Sequence, residues 1–274
     1  METRAARLLW PPAELSGCFF AAIHRDTRGM DLTDRDRLNF FPASPLVAAT
    51  FVIEGELRLL PQRGGLEAAQ SAPAQPRIFV TPAREVPTVS WSPGPLCAIT
   101  VGIYPDAWES MAGSYDLPGL LQIAFECSAD DVDGGWQQFC GAILPRWRAL
   151  HPGSTWPTWI GTSRLADWSR GLVARAAVGG PGRSVRALER RLKKWSGQTR
   201  QSLDFYASFE RLHQLSTEAR GMPLANLALE AGYSDQSHMG RAVRRATGFS
   251  PRELNRLIEN EEPFWCYRLL GERF

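Results

Sequence analysis

AGYSDQSHMGRAVRRATGFSPREL, residues 231–254, contains the clearest local signals for the structure of the second half of the chain. Gly232 stands where the backbone can turn sharply without a side-chain clash, and Ser234 is suited to cap the helix that follows. That helix is expected to end at Gly248. The preceding segment PLANLALEA (223–231) has helical apolar spacing with a proline at its start, so the whole stretch predicts a helix-turn-helix unit.

The second helix of this unit has two different faces. Its apolar face is predicted to pack inward and consists of Met239, Ala242, Val243 and Ala246. Its opposite face is polar and basic and consists of Gln236, Ser237, Gly240, Arg241 and Arg244.

An imperfect repeat indicates a second unit of the same kind. A shift of 51 residues aligns ERRLKKWSGQTRQSL (189–203) with GRAVRRATGFSPREL (240–254), and basic and apolar positions coincide. A self-match at a fixed offset predicts two copies of one supersecondary unit. In this first copy Ser184 is the expected helix cap. The predicted inner face is Val185, Leu188, Leu192 and Trp195, and the predicted outer face is Arg186, Glu189, Arg190 and Lys193.

The chemistry of these outer faces fits the major groove of DNA. Arginine bonds bidentately to guanine, and glutamate accepts from cytosine. Basic residues further along each helix are suited to phosphates. The predicted phosphate contacts are Arg183, Lys193, Lys194, Arg244 and Arg245. One basic helix face alone is more often merely solvated, but two copies with matching turns and caps favour double-stranded DNA as a partner.

Residues 231–254 closely resemble the C-terminal signature of AraC/XylS-family transcription regulators, and SVRALERRLKKWSGQ (184–198) resembles their first recognition helix. The resemblance covers roughly residues 165–258. It implies two helix-turn-helix units joined by a long helix within 201–220, and two successive major-groove contacts. Carried over by position, the base-reading residues would be Arg186, Glu189, Arg190, Gln236, Ser237 and Arg241. The segment before the first recognition helix (170–184) is looser than the family pattern and contains Pro181, which predicts a distorted first scaffold.

The front half is predicted to be rich in strands. Candidate strands are residues 46–53, 57–60, 77–80 and 96–103, and residues 61–76 are expected to form an exposed loop. This half resembles the family's sensor domains only in general design, which implies a cupin-like barrel that binds a small effector and dimerises. The expected fold is therefore α+β: a β-rich sensor domain with trailing helices over residues 1–160, and an all-α domain with two helix-turn-helix units over residues 161–274.

One amphipathic helix is predicted in the middle of the chain, at residues 135–150, where Pro145 should kink it. Its apolar stripe has two interpretations: packing on the core of its own domain, or a dimerisation face. Aromatic side chains offer candidates for an effector pocket, namely Phe40, Phe41 and Trp91, although they are at least as well explained as core residues.

Composition excludes several classes of protein. The 44% of hydrophobic residues and 22% of charged residues are ordinary for a globular chain. The net charge of +2 divides into −5 for residues 1–160 and +7 for residues 161–274, as expected for a polyanion-binding domain behind another domain. No apolar run is long enough to span a membrane, and the start lacks a secretory pattern, so a cytoplasmic protein is expected.

The sequence offers no pattern for a metal, a cofactor or catalysis. The five cysteines are scattered without a C-x-x-C pair, and no H-x-H pattern occurs. We therefore expect no metal, no cofactor and no enzyme activity. The leading hypothesis is a homodimeric DNA-binding transcription regulator controlled by a small effector. Two alternatives remain: a barrel-fold enzyme tethered to DNA by its C-terminal domain, and an effector-independent dimeric regulator.

Overall fold

Two antiparallel sheets form the centre of the N-terminal half. The computed structural model describes residues 5–60, 65–111, 116–126, 131–151, 164–180, 184–218 and 221–271. The strands are β1 (Ala6–Leu9), β2 (Phe19–Asp26), β3 (Leu38–Phe41), β4 (Val47–Glu54), β5 (Arg58–Leu60), β6 (Ile78–Thr81), β7 (Thr88–Trp91) and β8 (Cys97–Ile103). One sheet has the order β1-β2-β8-β4-β6, and the other has the order β3-β7-β5.

The four strands predicted from the sequence are all present, but β4 and β5 belong to different sheets. Gly55 makes the change of direction between them. Its φ is +93°, and a Cβ there would lie 2.4 Å from the carbonyl oxygen of Pro95, so only glycine fits. The prediction missed β1, β2, β3 and β7. Three of these are only four residues long, which is too short for a clear alternation, and β2 ends in the charged run His24–Asp26.

Three helices cover one face of the five-stranded sheet, namely α2 (Pro105–Met111), α3 (Leu117–Glu126) and α4 (Val132–Leu150). The short helix α1 (Leu66–Ser71) packs on the three-stranded sheet instead. Phe51 and Ile99 of the sheet and Phe139 of α4 are fully or almost fully buried in the same core. The predicted stripe of α4 therefore packs on its own domain, and its interpretation as a dimerisation face has no support in this packing.

Residues 61–76 were expected to form an exposed loop, and this prediction is wrong for the part that the structure describes. Helix α1 lies within this segment, and Ala69 is fully buried. Ala69 packs with Leu60 and Val89 of the three-stranded sheet, so the segment closes a small core of its own.

The C-terminal half is entirely helical in its described residues. The helices are α5 (Leu165–Val178), α6 (Val185–Ser196), α7 (Arg200–Glu218), α8 (Leu224–Glu230), α9 (Gln236–Thr247), α10 (Pro251–Asn260) and α11 (Trp265–Gly271). Helices α5 and α6 form the first helix-turn-helix unit, and α8 and α9 form the second. The long helix α7 packs against α5 on one side and against α8 and α9 on the other, so it joins the two units.

The local signals of both units are confirmed with two corrections. Ser184 caps α6, and left-handed glycines end both recognition helices. The cap of α9, however, is Asp235 and not Ser234, since the Asp235 carboxylate accepts from the backbone N–H of His238 at 2.7 Å. Val185 was assigned to the inner face of α6 but is 74% exposed, because it lies in the first turn, at the edge of the packed surface.

The α+β fold class is confirmed, with two antiparallel sheets followed by a helical region that contains two helix-turn-helix units. The last helix departs from a simple division of the chain. Helix α11 returns to the sheets and packs on β1 and β3. The predicted boundary between residues 160 and 161 lies outside the described residues. Among the described helices, none is both long and apolar enough to cross a lipid bilayer.

Candidate nucleic-acid interface and interdomain cavity

The second recognition helix, α9, presents an open polar face. Gln236, Ser237, Arg241 and Arg244 are exposed there. A Cβ added at Gly240 would meet no other atom within 4 Å, so nothing in the described chain covers the middle of this face. The opposite side of the helix is anchored in the core, where Met239 and Ala246 are fully buried. The helix therefore has a fixed orientation and a free basic surface.

The first recognition helix, α6, has a similar surface with one difference. Arg186, Arg190, Lys193 and Lys194 are exposed. Glu189 is half-buried, and its carboxylate accepts from the backbone N–H of Arg200, at the start of α7, at 3.4 Å. This long hydrogen bond holds Glu189 towards α7 rather than leaving it fully open to solvent. The predicted contact Arg183 lies outside the described residues.

Arg245 differs from the other predicted phosphate contacts because it is bound to the N-terminal half. Its guanidinium forms an ion pair with the carboxylate of Glu85, and it lies 4.3 Å from the ring centroid of Phe205. Glu85 also accepts from the hydroxyl of Ser202 on α7 at 2.8 Å. These two bonds hold the pKa of the Glu85 carboxyl below its usual value, with the hydrogen bond from Ser202 the larger cause.

Neighbouring contacts extend this link between the halves of the molecule. The backbone N–H of Ala43 donates to the carbonyl oxygen of Ala246 at 2.7 Å, and the hydroxyl of Tyr206 donates to the carbonyl oxygen of Arg84 at 3.2 Å. The end of α9 and the first turns of α7 are thus attached to the segments that follow β3 and β6.

A cavity of about 270 Å³ lies between the sheets and the C-terminal helices. Its floor is the face of the five-stranded sheet opposite to the helices. Strand register explains the space: Ala21, Gly102, Ala48 and Thr81 stand side by side across four strands, and all are small. The next row contains Thr50 and Thr100, whose hydroxyls are 3.0 Å apart. Small side chains on neighbouring strands leave the volume unfilled.

Helices α7 and α11 close the cavity on the C-terminal side, where His213, Tyr267 and Leu270 line it. The imidazole of His213 lies 2.8 Å from the carbonyl oxygen of Tyr267, and burial lowers the pKa of His213. Within the described chain, the buried hydroxyl of Tyr267 and the Nε of Arg25, another lining residue, have no hydrogen-bond partner. The wall is therefore mostly apolar, with a few polar atoms available to an occupant.

The three aromatic residues predicted for an effector pocket do not come together in this cavity. Phe41 lines it. Phe40 instead stacks on Phe264 of the C-terminal half, with ring centroids 4.7 Å apart. Trp91 lies in the small core of the three-stranded sheet and donates to the carbonyl oxygen of Asp34 at 2.9 Å.

Sequence reasoning missed most of the cavity. The lining residues of α7 and α11 are more than 100 positions from the strands they face, and no local pattern connects them. The one available signal was the small residues at alternate positions in β4 and β8, which are unusual for strands buried on both faces.

Comparisons with known proteins agree with the geometry of the helices. A helix-turn-helix domain family matches residues 181–256. Curated proteins provide no match to the chain. Among solved structures, ToxT from Vibrio cholerae O395 is similar at 9% identity and a TM-score of 0.39, over 82% of this chain and 95% of that one. ToxT from the same strain bound to (E)-4-(8-methylnaphthalen-1-yl)but-3-enoic acid is similar at 11% identity and a TM-score of 0.36, over 79% and 96%.

The helix-turn-helix family match covers both recognition helices and the duplicated signature described above. The match agrees with the resemblance to AraC/XylS-family transcription regulators over residues 181–256, which form a helix-turn-helix domain.

Proposed function

We propose that the chain is a sequence-specific DNA-binding transcription regulator whose helices α6 and α9 enter successive major grooves. The observation that carries this proposal is the pair of capped helices whose basic faces are exposed while their apolar faces are buried in a duplicated scaffold. Electrostatic attraction to phosphates supplies most of the affinity, and side chains at the base edges supply the sequence preference.

Base reading is assigned to the exposed side chains in the first turns of the two helices. Arg186 and Arg190 of α6, and Gln236, Ser237 and Arg241 of α9, are free to reach base edges. Glu189 can reach a base edge only after its hydrogen bond with the backbone N–H of Arg200 breaks. Phosphate contacts are assigned to Lys193, Lys194 and Arg244, together with Arg183. Arg245 joins them only when its ion pair with Glu85 opens.

Two substitutions separate these roles. We expect Arg241→Ala to reduce the binding free energy by about 1–3 kcal/mol on the preferred DNA sequence and by much less on random DNA. Lys194→Ala should weaken binding to all sequences alike and make the salt dependence of binding shallower. Duplexes selected from a random pool by the full chain provide the substrates, and fluorescence anisotropy measures binding. Equal loss on specific and random DNA for Arg241→Ala would contradict base reading.

We further propose that residues 1–160 control the DNA-binding region through the interdomain cavity. The cavity is bounded by both halves, so an occupant contacts the sheets and the helices α7 and α11 together. Arg84 lines the cavity, and its backbone carbonyl oxygen accepts from the hydroxyl of Tyr206, while the adjacent Glu85 pairs with Arg245 of α9. A ligand that displaces this segment would change the contacts that restrain α9.

A cavity-filling variant tests effector control. The probe is 8-anilinonaphthalene-1-sulfonate, an apolar anion whose fluorescence rises in apolar sites. We expect one dye molecule to bind per chain and to change DNA affinity, and we expect Ala48→Phe to abolish both effects. Ala225→Phe, at an exposed position of α8, is the matched control. Dye binding that survives Ala48→Phe, or that leaves DNA affinity unchanged, would contradict control through this cavity.

The homodimer and the cytoplasmic location remain predictions of this proposal. Mass measurement at several protein concentrations, with and without the dye, distinguishes an effector-controlled regulator from an effector-independent dimer. The site geometry gives no specific support to the tethered-enzyme alternative.

A further inference from the structure

A histidine, an aspartate and a cysteine meet at one end of the five-stranded sheet, away from the cavity and from the recognition helices. His24 and Asp26 are the last alternate residues of β2, and Cys97 is the first residue of β8. The register pairs Asp26 with Cys97, so all three side chains project from the same face of the sheet. One ligand atom from each residue lies within 4.8 Å of the others.

We propose that His24, Asp26 and Cys97 form a binding site for Zn²⁺. The imidazole Nε2 of His24 and the Sγ of Cys97 are 3.5 Å apart. Bond lengths of about 2.0–2.1 Å to nitrogen and about 2.3 Å to sulfur, at a tetrahedral angle, place those two atoms roughly 3.5 Å apart. Nitrogen, thiolate sulfur and carboxylate oxygen are also the ligand set that Zn²⁺ takes in proteins.

Three protein ligands leave a fourth coordination position. Glu54, at the end of β4, is also paired with Cys97 in the sheet register, so its carboxylate is one candidate for this position. A water molecule is the alternative, as in open zinc sites. The site would thus connect β2 and β8 directly and reach β4, the three central strands of the sheet.

The residues around the trio are suited to orient a carboxylate ligand. The guanidinium of Arg28 donates to both carboxylate oxygens of Asp26, at 3.0 Å and 2.8 Å, and to Glu54 at 3.0 Å. Hydrogen bonds of this kind fix ligating carboxylates in metal sites. The backbone N–H of Arg28 also donates to Asp26, at 3.0 Å, so the carboxylate stays oriented when the 36% exposed Arg28 side chain turns towards solvent to admit a cation.

The other charges that face His24 are already compensated. Arg7, on β1, is paired with the carboxylate of Asp133 at 2.9 Å. Binding of Zn²⁺ requires the thiol of Cys97 to release its proton to solvent, so one Zn²⁺ replaces one proton at sulfur. With Cys97 as thiolate and Asp26 as carboxylate, the bound cation is neutralised. The sequence predicts no metal because Cys97 lies more than 70 residues from His24 and Asp26, and the three form no spacing motif.

Cobalt substitution of the full chain tests the proposal independently of DNA binding. The reduced protein is freed of metal with a chelator and titrated with Co²⁺. We expect a thiolate-to-cobalt charge-transfer band that saturates at one Co²⁺ per chain and disappears when Zn²⁺ is added. Cys97→Ser should lose the band. Cys140→Ser, at a buried cysteine in the helix-covered core, and Cys127→Ser should keep it.

Two further variants test the same site in case Cys97→Ser fails to fold. His24→Gln and Asp26→Asn keep the side-chain size and should each weaken Zn²⁺ binding at least about tenfold in a competition assay. Circular dichroism verifies that they fold. The absence of a thiolate band in the wild-type chain, a band that survives Cys97→Ser, or unchanged Zn²⁺ affinity in both His24→Gln and Asp26→Asn would overturn the proposal.

Discussion

The ion pair between Glu85 and Arg245 gives the sharpest test of how the two halves of the chain are coupled. Glu85→Gln removes the negative charge but retains an oxygen that can accept from Ser202. The side chains of Glu85 and Arg245 are 49% and 43% exposed, so the pair is worth no more than about 1 kcal/mol. Freeing Arg245 for a phosphate should therefore tighten DNA binding by at most about fivefold.

Salt dependence provides an independent measure of the same change. One additional phosphate contact steepens the slope of log K against log salt by about 0.9. The assay is fluorescence anisotropy of a labelled duplex over a series of salt concentrations. Glu14→Gln is the matched control, because it removes the same charge from an exposed pair with Arg148 in the N-terminal half. If Glu85→Gln leaves both the affinity and the slope of the wild type unchanged, Arg245 is not restrained from DNA by Glu85.

Three further predictions concern stability, each measured by urea denaturation. Met239→Ala should lower the free energy of unfolding by about 2–5 kcal/mol, because Met239 is fully buried. Leu229→Ala, at a 61% exposed position, should lower it by under about 0.5 kcal/mol. Similar losses in the two variants would contradict the packing of the second unit. Ser250→Ala should cost about 1 kcal/mol through loss of the capping box of α10, and no loss would argue against that cap. Because burial lowers the pKa of His213, the unfolded chain binds more protons than the folded chain below pH ~6.5. The free energy of unfolding should therefore fall as the pH drops below that value, and it should fall less steeply in His213→Gln. The same pH profile in His213→Gln and the wild type would refute this assignment.

The helical half follows closely from its sequence because its signals are local. The cap at Ser184, the glycines that end α6 and α9, and the capping box of α10 are each formed within a few residues of sequence. The error over the cap of α9, which is Asp235 and not the predicted Ser234, also concerns neighbouring residues. Ser234 and Asp235 are adjacent and both are good caps, and only the exact entry angle of the chain decides between them.

The front half was less predictable because its signals depend on partners distant in the sequence. Strand β2 carries charged residues that are stabilised by tertiary partners, such as Arg25, whose side chain pairs with Glu262 at 2.9 Å. The segment around Ala69 looks like a loop in sequence, and its helix is stabilised by a small core formed with β5 and β7.

Two helix-turn-helix units with basic outer faces can be predicted from the amino-acid sequence, because helix periodicity and caps depend on neighbouring residues and the repeat is visible in the order of residues. The folded chain is needed to show which of those basic residues are free, where the cavity lies, and which three side chains come together at the end of β2. Arg245 is bound by Glu85, 160 positions earlier, and His24 meets Cys97 across two strands. Such meetings depend on the packing of one half of the chain against the other and on strand register, which no local pattern encodes.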